Sequence, residues 1–230
     1  MLKLDAVRID NGGFEVLADL AVESGARVAV IGPSGAGKST LIGAIAGFYP
    51  VTAGRITWQG RDIGEMAPGK RPVAMLFQDG NLFPHLSVAQ NVGLGVDPNL
   101  RLDAGQRARV EEALSRVGLE GMGNRKPAAL SGGQQSRAAL ARVLVQNRPL
   151  LLLDEPFAAL GPALKREMLD LVRALTDETG ATLLMVSHDP DDARRIADEV
   201  ILVAEGRAHP PEPTGELLDN PPVALRDYLG

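Results

Sequence analysis

Apolar residues along this chain occur in two patterns. Five short runs contain at most two polar residues, which is typical of strands buried on both faces of a parallel sheet. Elsewhere apolar residues recur every three or four positions, for example between residues 164 and 175, which predicts amphipathic helices. Strands that alternate with helices predict an α/β fold with a mixed, mostly parallel sheet and right-handed crossovers. The predicted strands lie at 27–31, 73–77, 150–154, 182–187 and 200–203, the last being the final strand.

The first sixty residues follow a different, alternating pattern. Apolar and polar residues alternate over 2–9 and 16–22, and the turn-forming residues 11–13 lie between these stretches. Residues 54–60 read as another strand, in which Trp58 is expected to pack rather than bind a ligand. The pattern predicts an N-terminal antiparallel β layer beside the parallel sheet.

The middle of the chain is richer in helix and in chain-breaking residues. Asn81, Pro84 and later glycines and prolines divide the stretch after residue 78 into short pieces, followed by a polar helix near 105–117 and another after 134. This pattern of short pieces followed by helices predicts an α-helical subdomain inserted at about 79–147. The proline-rich tail from residue 210 is short, so we expect one domain over 1–230 without a C-terminal regulatory domain.

Composition narrows the functional classes. The 230 residues are 45% hydrophobic, which is sufficient for a sizeable core. The net charge is −5 and the basic residues are scattered, so nothing indicates a nucleic-acid partner. The absence of cysteine excludes disulfides and fits a reducing cytoplasm. Charge comes too early for a signal peptide and no run approaches a membrane span, so we expect any membrane role to depend on a partner.

Directly after the first predicted parallel strand, nine residues fit the pattern G-x-x-x-x-G-K-[ST] and lead into a helix. Glycines let the backbone wrap a polyphosphate, and the helix N-terminus favours the anion. Lys38 can reach the β- and γ-phosphates, and the Ser39 hydroxyl can ligate Mg²⁺. The alternative is a glycine-rich turn with a surface lysine. The predicted phosphate-binding residues are Gly32, Pro33, Ser34, Gly35, Ala36, Gly37, Lys38, Ser39 and Thr40.

Polar residues follow three other buried strands, at the sheet edge where ligands bind in such folds. Asp154 is placed to hold Mg²⁺, and Glu155 to orient or deprotonate a water that attacks the γ-phosphate. Gln78 can contact both Mg²⁺ and that water, and His188 can donate a hydrogen bond to the γ-phosphate. Alternatives are a helix-capping aspartate, a solvated glutamate, and turn residues at 78 and 188; the common placement of all four favours a site.

A second anion-binding segment follows Leu130. Ser131, Gly132, Gly133 and Gln134 open a helix and offer backbone N–H groups and a hydroxyl. Because the chain already has one glycine loop for phosphate, this segment is interpreted as a cap on the γ-phosphate held by a second copy, in a head-to-tail dimer. An ordinary helix N-cap is the alternative.

Together, the glycine loop, Gln78, residues 130–134, residues 150–155 and His188 resemble the nucleotide-binding subunit of ABC transporters, over nearly the whole chain. The resemblance implies a P-loop NTPase core that hydrolyses ATP with Mg²⁺ as a homodimer. It further implies that ATP closes the dimer, that hydrolysis reopens it, and that the motion drives permease subunits docked near Gln78 and the inserted subdomain. It also implies a place on the inner face of the cell membrane and, indirectly, a periplasmic solute-binding protein.

Within the family, residues 75–86, 91–100, 45–48 and 183–188 are similar to ATPase subunits of thiamine importers. The cargo rests on this resemblance alone, and a polyamine, iron or sulfate importer is the alternative. A soluble, non-transport ABC ATPase is disfavoured because the chain lacks a basic patch and a second cassette. A regulator without hydrolytic activity is disfavoured by Glu155.

Two positions depart from the family pattern. Gly161 follows Ala159 and Leu160 where the family usually has an aspartate at the dimer interface, which removes a carboxylate that would link the two sites. The first hairpin lacks the family's usual aromatic for stacking on adenine, so Phe14 is the remaining candidate.

Overall fold

A computed structural model describes residues 1–78, 80, 82–223 and 225–226. Its strands are β1 (Leu2–Asn11), β2 (Phe14–Val22), β3 (Arg27–Ile31), β4 (Val51–Trp58), β5 (Arg61–Asp62), β6 (Val73–Leu76), β7 (Leu150–Asp154), β8 (Thr182–Val186), β9 (Glu199–Ala204), β10 (Arg207–Ala208) and β11 (Glu212–Pro213). Its α-helices are α1 (Lys38–Ala46), α2 (Val88–Gly93), α3 (Ala104–Arg116), α4 (Gly132–Leu144), α5 (Pro162–Thr179), α6 (Pro190–Ile196) and α7 (Thr214–Asp219). In this described part of the chain, no helix combines the length and hydropathy needed to cross a bilayer.

Five parallel strands form one side of the sheet, in the order β6, β7, β8, β3 and β9, with β6 at the edge. The side chains of 150–153 are all buried in this sheet, which is why the sequence shows four leucines without a polar face. The five predicted strands are confirmed. Their carboxyl ends meet at one edge, because neighbouring parallel strands point in the same direction.

An antiparallel layer continues the same sheet. β1 pairs with β2 and with β4 in antiparallel register, and β10 pairs with both β2 and β9 and so joins this layer to the parallel strands. Trp58 is buried in the core between the layers, as expected. The mixed α/β architecture predicted from the sequence is confirmed.

One expectation about the end of the chain is wrong. The strand at 200–203 is not the last, since β10, β11 and α7 follow it. Leu217 and Leu218 of α7 belong to a core cluster with Val200 and Leu202, so the segment after Pro210 packs on the outer face of the sheet. Two-residue strands contain no period that a sequence pattern could reveal, and α7 is only six residues long.

The helices of the middle region pack on one another and on the sheet. α2, α3 and α4 are in mutual contact, and α4 also contacts β6. Their buried residues, such as Val92 and Leu114, form one cluster with Leu151 and Leu153 of the sheet and with Met168 of α5. The prediction of an inserted subdomain at about 79–147 stays a prediction. Asp79, at its predicted start, and the predicted turn residue Asn81 lie outside the described residues.

A buried arginine fixes the end of α1. Arg71 donates to the carbonyl oxygens of Ala44 at 2.8 Å and Ile45 at 2.9 Å, both in the last turn of α1. Its other nitrogens donate to the carbonyls of Met66 at 2.9 Å and Gly64 at 2.6 Å. Burial lowers the pKa of Arg71, and the carboxylates of Asp62 and Glu65 oppose this shift. One cation thus ties α1 to the loop before β6.

Arg71→Met is expected to lower the free energy of unfolding by about 3 kcal/mol, because it leaves several buried carbonyls without charged donors. Urea unfolding followed by circular dichroism measures the change. Lys70→Met, at the exposed neighbouring position, is the control. A loss below about 1 kcal/mol would show that water satisfies these carbonyls equally well.

Candidate active site

The glycine loop joins β3 to α1 at the sheet edge. Gly32 has a φ of 146°, and a Cβ there would lie 1.9 Å from the carbonyl oxygen of Val203. Gly37 has a φ of 104°, and a Cβ there would lie 2.9 Å from the ring of Phe14. The loop therefore packs too closely on β9 and on the first hairpin for any side chain at these two positions. Loop residues Ser34, Gly35, Gly37, Lys38, Ser39 and Thr40 line a cavity of about 340 Å³ together with Asn11, Phe14 and Glu155.

Lys38 begins α1 and folds back over the loop. Its Nζ donates to the carbonyl oxygens of Gly32 at 2.8 Å and Pro33 at 2.9 Å, and the residue is only 6% exposed. Burial lowers the pKa of Lys38, while the carboxylates of Glu155 and Asp154 oppose this shift. The ammonium group is thus held at the centre of a loop whose backbone suits an anion. Ala36, also in this loop, is buried, and its N–H donates to the Pro33 carbonyl oxygen at 3.2 Å.

Ser39 and Asp154 meet across the site. The Ser39 hydroxyl donates to Asp154 Oδ1 at 2.9 Å, although the two residues are far apart in sequence. Burial raises the pKa of Asp154, and the hydrogen bond from Ser39 opposes this shift. A hydroxyl and a carboxylate oxygen at this distance are the hard ligands that Mg²⁺ prefers, so these two side chains fit the ion. Over the described ranges, no cluster of three or more His, Cys, Asp or Glu side chains offers a metal site made of such residues alone.

Glu155 and His188 come together from neighbouring strands. Glu155 Oε2 lies 3.4 Å from His188 Nδ1, because β7 and β8 are paired and both side chains follow their carboxyl ends. The Glu155 side chain is 24% exposed and that of His188 is 56% exposed. Glu155 has a φ of 44°, an unusual conformation for a residue other than glycine. The backbone is therefore held in a strained state where the predicted water-activating carboxylate stands.

Known proteins share both the sequence and the fold of this chain. The sequence pattern of the ABC transporter family matches residues 17–158, more than half of the chain. The chain belongs to the ABC transporter family. It is 67% identical over 230 residues to "Thiamine import ATP-binding protein ThiQ" of Ruegeria sp. (strain TM1040) and 63% identical to the protein of that name from Cereibacter sphaeroides. Both alignments cover the whole of this chain and the whole of the relative.

Solved structures of ABC cassettes share the fold. One is the dimeric, post-hydrolysis state of the ATP-binding cassette MJ0796 bound to ADP and Pi. The TM-score is 0.80 at 30% identity, over 93% of this chain and 99% of that one. A second dimeric structure of MJ0796, described as a bacterial ABC transporter cassette, matches equally well. The ABC ATPase fold predicted from the sequence is confirmed.

Other predicted residues of this ABC ATPase lie outside the loop cavity. Gln78 follows β6 and lines a separate cleft of about 650 Å³ with Gly132 and Leu160. Ser131 is the N-cap of α4: its hydroxyl accepts from the Gln134 N–H at 3.3 Å, and Gln134 Oε1 accepts from the Ser131 N–H at 3.0 Å. This reciprocal cap is the alternative that the sequence left open. None of residues 131–134 lines the cavity beside Lys38, so a phosphate-binding role in trans stays a prediction.

Sequence reasoning missed contributors to the site. Asn11 was predicted only as a turn residue, yet it ends β1, lines the loop cavity and places its Nδ2 3.4 Å from Thr40 Oγ1. Lys165, Asp189 and Asp192 form an ion cluster behind His188. In the sequence, only the position of Asp189 directly after His188 could have indicated this cluster, because its partner Lys165 is distant in sequence.

Gly161 leaves α5 without a side-chain cap. It occupies the N-cap position with a φ of −64°, and nothing lies within 4 Å of an added Cβ. Gly161→Asp is therefore expected to accept a hydrogen bond from the first turn and to be about 1 kcal/mol more stable than Gly161→Ala, the matched control. Urea unfolding of both variants measures the difference. Equal stability would show that a side-chain oxygen at 161 does not cap the helix.

Proposed function

We propose that this chain is the ATP-hydrolysing subunit of an importer that takes up thiamine or its phosphates through a membrane permease. The observation that carries the ATPase assignment is the contact of Ser39 with Asp154 beside Lys38, with Glu155 next in the chain. The thiamine assignment is supported by two full-length relatives whose names specify thiamine import. An importer for another small solute is the alternative, since the cargo is assigned by resemblance to these relatives alone.

Different residues are proposed to bind the phosphates, to hold Mg²⁺ and to activate the attacking water. Residues 32–40 would enclose the phosphates, with backbone N–H groups and the Lys38 ammonium as donors. Mg²⁺, bound by Ser39 and Asp154, would neutralise phosphate charge, and the Gln78 amide, which lines the separate cleft in the single chain, is proposed as a further ligand. Glu155 is the base that orients or deprotonates the attacking water, and His188 donates a hydrogen bond to the γ-phosphate. The contact between Glu155 and His188 supports this pairing of base and donor.

A second copy is proposed to complete the site. The N-terminus of α4 lies away from the loop cavity of its own chain, and its exposed Ser131 and Gly132 leave it open to another molecule. The dimeric MJ0796 structures, which share the fold, support two shared sites in a head-to-tail dimer. In this arrangement Ser131, Gly132, Gly133 and Gln134 of one chain would contact the γ-phosphate on the other.

The permease is proposed to dock beside Gln78. Phe48, Phe77 and Phe83 are exposed in this region, and the first two rings meet edge to face with centroids 5.4 Å apart. Exposed aromatic side chains favour a protein partner over solvent. Docking would place the inserted subdomain, at about 79–147, against the permease on the cytoplasmic face of the membrane. A periplasmic solute-binding protein would be an indirect partner, and no nucleic acid is required.

Adenine is proposed to lie against Phe14. This ring is 39% exposed, lines the loop cavity and packs over Gly37. Stacking on an aromatic face tolerates any base, so base selectivity would be low.

Phosphate release by the purified chain in ATP and Mg²⁺ tests the enzymatic part of this proposal. Capture of the chain from cell membranes, followed by identification of the bound protein, tests the importer part. A permease in the captured complex supports import, whereas ribosomal RNA would favour a soluble, non-transport ABC ATPase.

A further inference from the structure

A cluster of ionic groups connects α5 to the segment that holds His188. Lys165, in the first turn of α5, contacts Asp189 and also lies 2.9 Å from Asp192 Oδ1. Ser187 donates its hydroxyl proton to Asp192 Oδ2 at 2.7 Å, and this hydrogen bond is buried. Asp189 thus contacts Lys165 directly, and Ser187 is linked to Lys165 through Asp192. The residues on both sides of His188 are therefore connected to a single lysine.

The cluster lies next to the predicted reacting groups. Lys165 and Asp192 line a small cavity of about 30 Å³ that Glu155 and His188 also line. This space is large enough for about one water molecule. Lys165 and Asp192 thus face the same small cavity as the Glu155–His188 contact.

The same lysine is attached to the turn that departs from the family pattern. The backbone N–H of Lys165 donates to the carbonyl oxygen of Gly161 at 2.9 Å, in the first turn of α5. The turn at 159–161 is therefore bonded to the residue whose ammonium contacts Asp189 and Asp192. A displacement of the turn at 159–161 would move Lys165 and, with it, Asp189 and Asp192.

The contact between Lys165 and Asp189 favours the charged form of both groups. Burial lowers the pKa of Lys165, but hydrogen bonds to Asp189 and Asp192 outweigh this and raise it. Burial raises the pKa of Asp189, and the contact with Lys165 outweighs this and lowers it. The side chain of Asp192 is only 11% exposed, so water screens its pair with Lys165 weakly. Such pairs contribute little net stability compared with apolar residues, but they fix geometry because a lone buried charge is costly.

We propose that Lys165 is a positioning residue that holds the His188 segment in register with Glu155 and transmits movement of the 159–161 turn to it. The proposal rests on the ATPase function proposed above, because it assumes that His188 and Glu155 act on ATP. Lys165 itself need not touch the nucleotide. Its role is to keep the 3.4 Å contact between Glu155 and His188 in place.

Steady-state ATP hydrolysis by the purified full chain tests this role, with urea unfolding of each variant measured in parallel. Lys165→Met is expected to lower kcat at least tenfold with KM within twofold, because binding by the glycine loop is unaffected. Lys165→Arg, which keeps the charge, is expected to retain at least half of kcat. Arg116→Met is the matched control, since it breaks the ion pair with Glu178 at the far end of α5.

A double variant separates positioning from folding. Lys165→Met combined with Asp192→Asn removes the lysine together with its most buried partner, so it is expected to unfold near the wild-type urea midpoint while kcat stays low. If turnover returns together with stability, the cluster is merely structural and the proposal is wrong. Asp189→Asn, at the more exposed end of the cluster, is expected to fold and to lower kcat at least threefold; an unchanged kcat would also overturn the proposal.

The wild-type chain and Glu155→Gln are measured in the same assay. If the wild type releases no phosphate, the proposed ATPase function fails. If the wild type turns over and the Lys165 variants behave like Arg116→Met, the positioning role alone fails.

Discussion

Glu155→Gln is expected to lower the rate of ATP hydrolysis at least a hundredfold while ATP still binds. The substitution keeps size and polarity but removes the carboxylate that would take a proton from the attacking water, and general-base catalysis of this kind contributes about 10²- to 10⁴-fold. Binding survives because Lys38 and residues 32–37 are unchanged. Phosphate release measures the rate, and a fluorescent ATP analogue measures binding.

The same variant is expected to accumulate as an ATP-bound dimer, since the step that reopens the dimer is blocked. Gel filtration with ATP and Mg²⁺ should show twice the mass seen without nucleotide. Glu216→Gln, on the exposed first turn of α7, is the control and should hydrolyse ATP at the wild-type rate. A Glu155→Gln protein that binds ATP and stays monomeric would contradict the shared-site arrangement.

Lys38→Ala is expected to weaken ATP binding about a hundredfold, with hydrolysis lost at ordinary ATP concentrations. An ammonium that contacts phosphate oxygens in a partly buried site contributes about 1.5–3 kcal/mol, and 1.4 kcal/mol corresponds to a factor of ten. The substitution also removes the two hydrogen bonds from Nζ to the carbonyl oxygens of Gly32 and Pro33. Titration with a fluorescent ATP analogue measures the effect.

Lys70→Ala, at an exposed position outside the loop, should bind ATP as the wild type does. Urea unfolding shows whether Lys38→Ala remains folded under the conditions of the titration. Folded Lys38→Ala protein with wild-type affinity would mean that the backbone of the loop alone carries the binding energy.

Much of the fold could be predicted because the apolar runs reflect burial on both faces of a sheet. Because the strands at 27–31 and 150–154 are parallel and separated only by β8, their carboxyl ends lie at the same edge, where Ser39 contacts Asp154. The α2 and α6 helices were missed because each spans only six or seven residues, too few for a helical period to appear.

Contacts between distant segments were harder to predict. Lys165 and Asp192 are both common surface residue types, and only the packing of α5 against α6 turns them into a nearly buried pair. The segment at 131–134 shows a further ambiguity, because a helix N-cap and an anion-binding site use the same residues. In the single chain these residues form the reciprocal cap. Their proposed role in binding the γ-phosphate must be tested in the dimer.

Uptake of labelled thiamine by cells tests the central claim most directly. Cells that carry the wild-type chain with its permease are compared with cells that lack the chain and with cells that carry Lys38→Ala. We predict uptake in the first cells only, because transport requires ATP bound by this subunit. Equal uptake in all three, with ATP hydrolysis by the purified chain intact, would contradict thiamine import and leave an ATPase that serves another cargo.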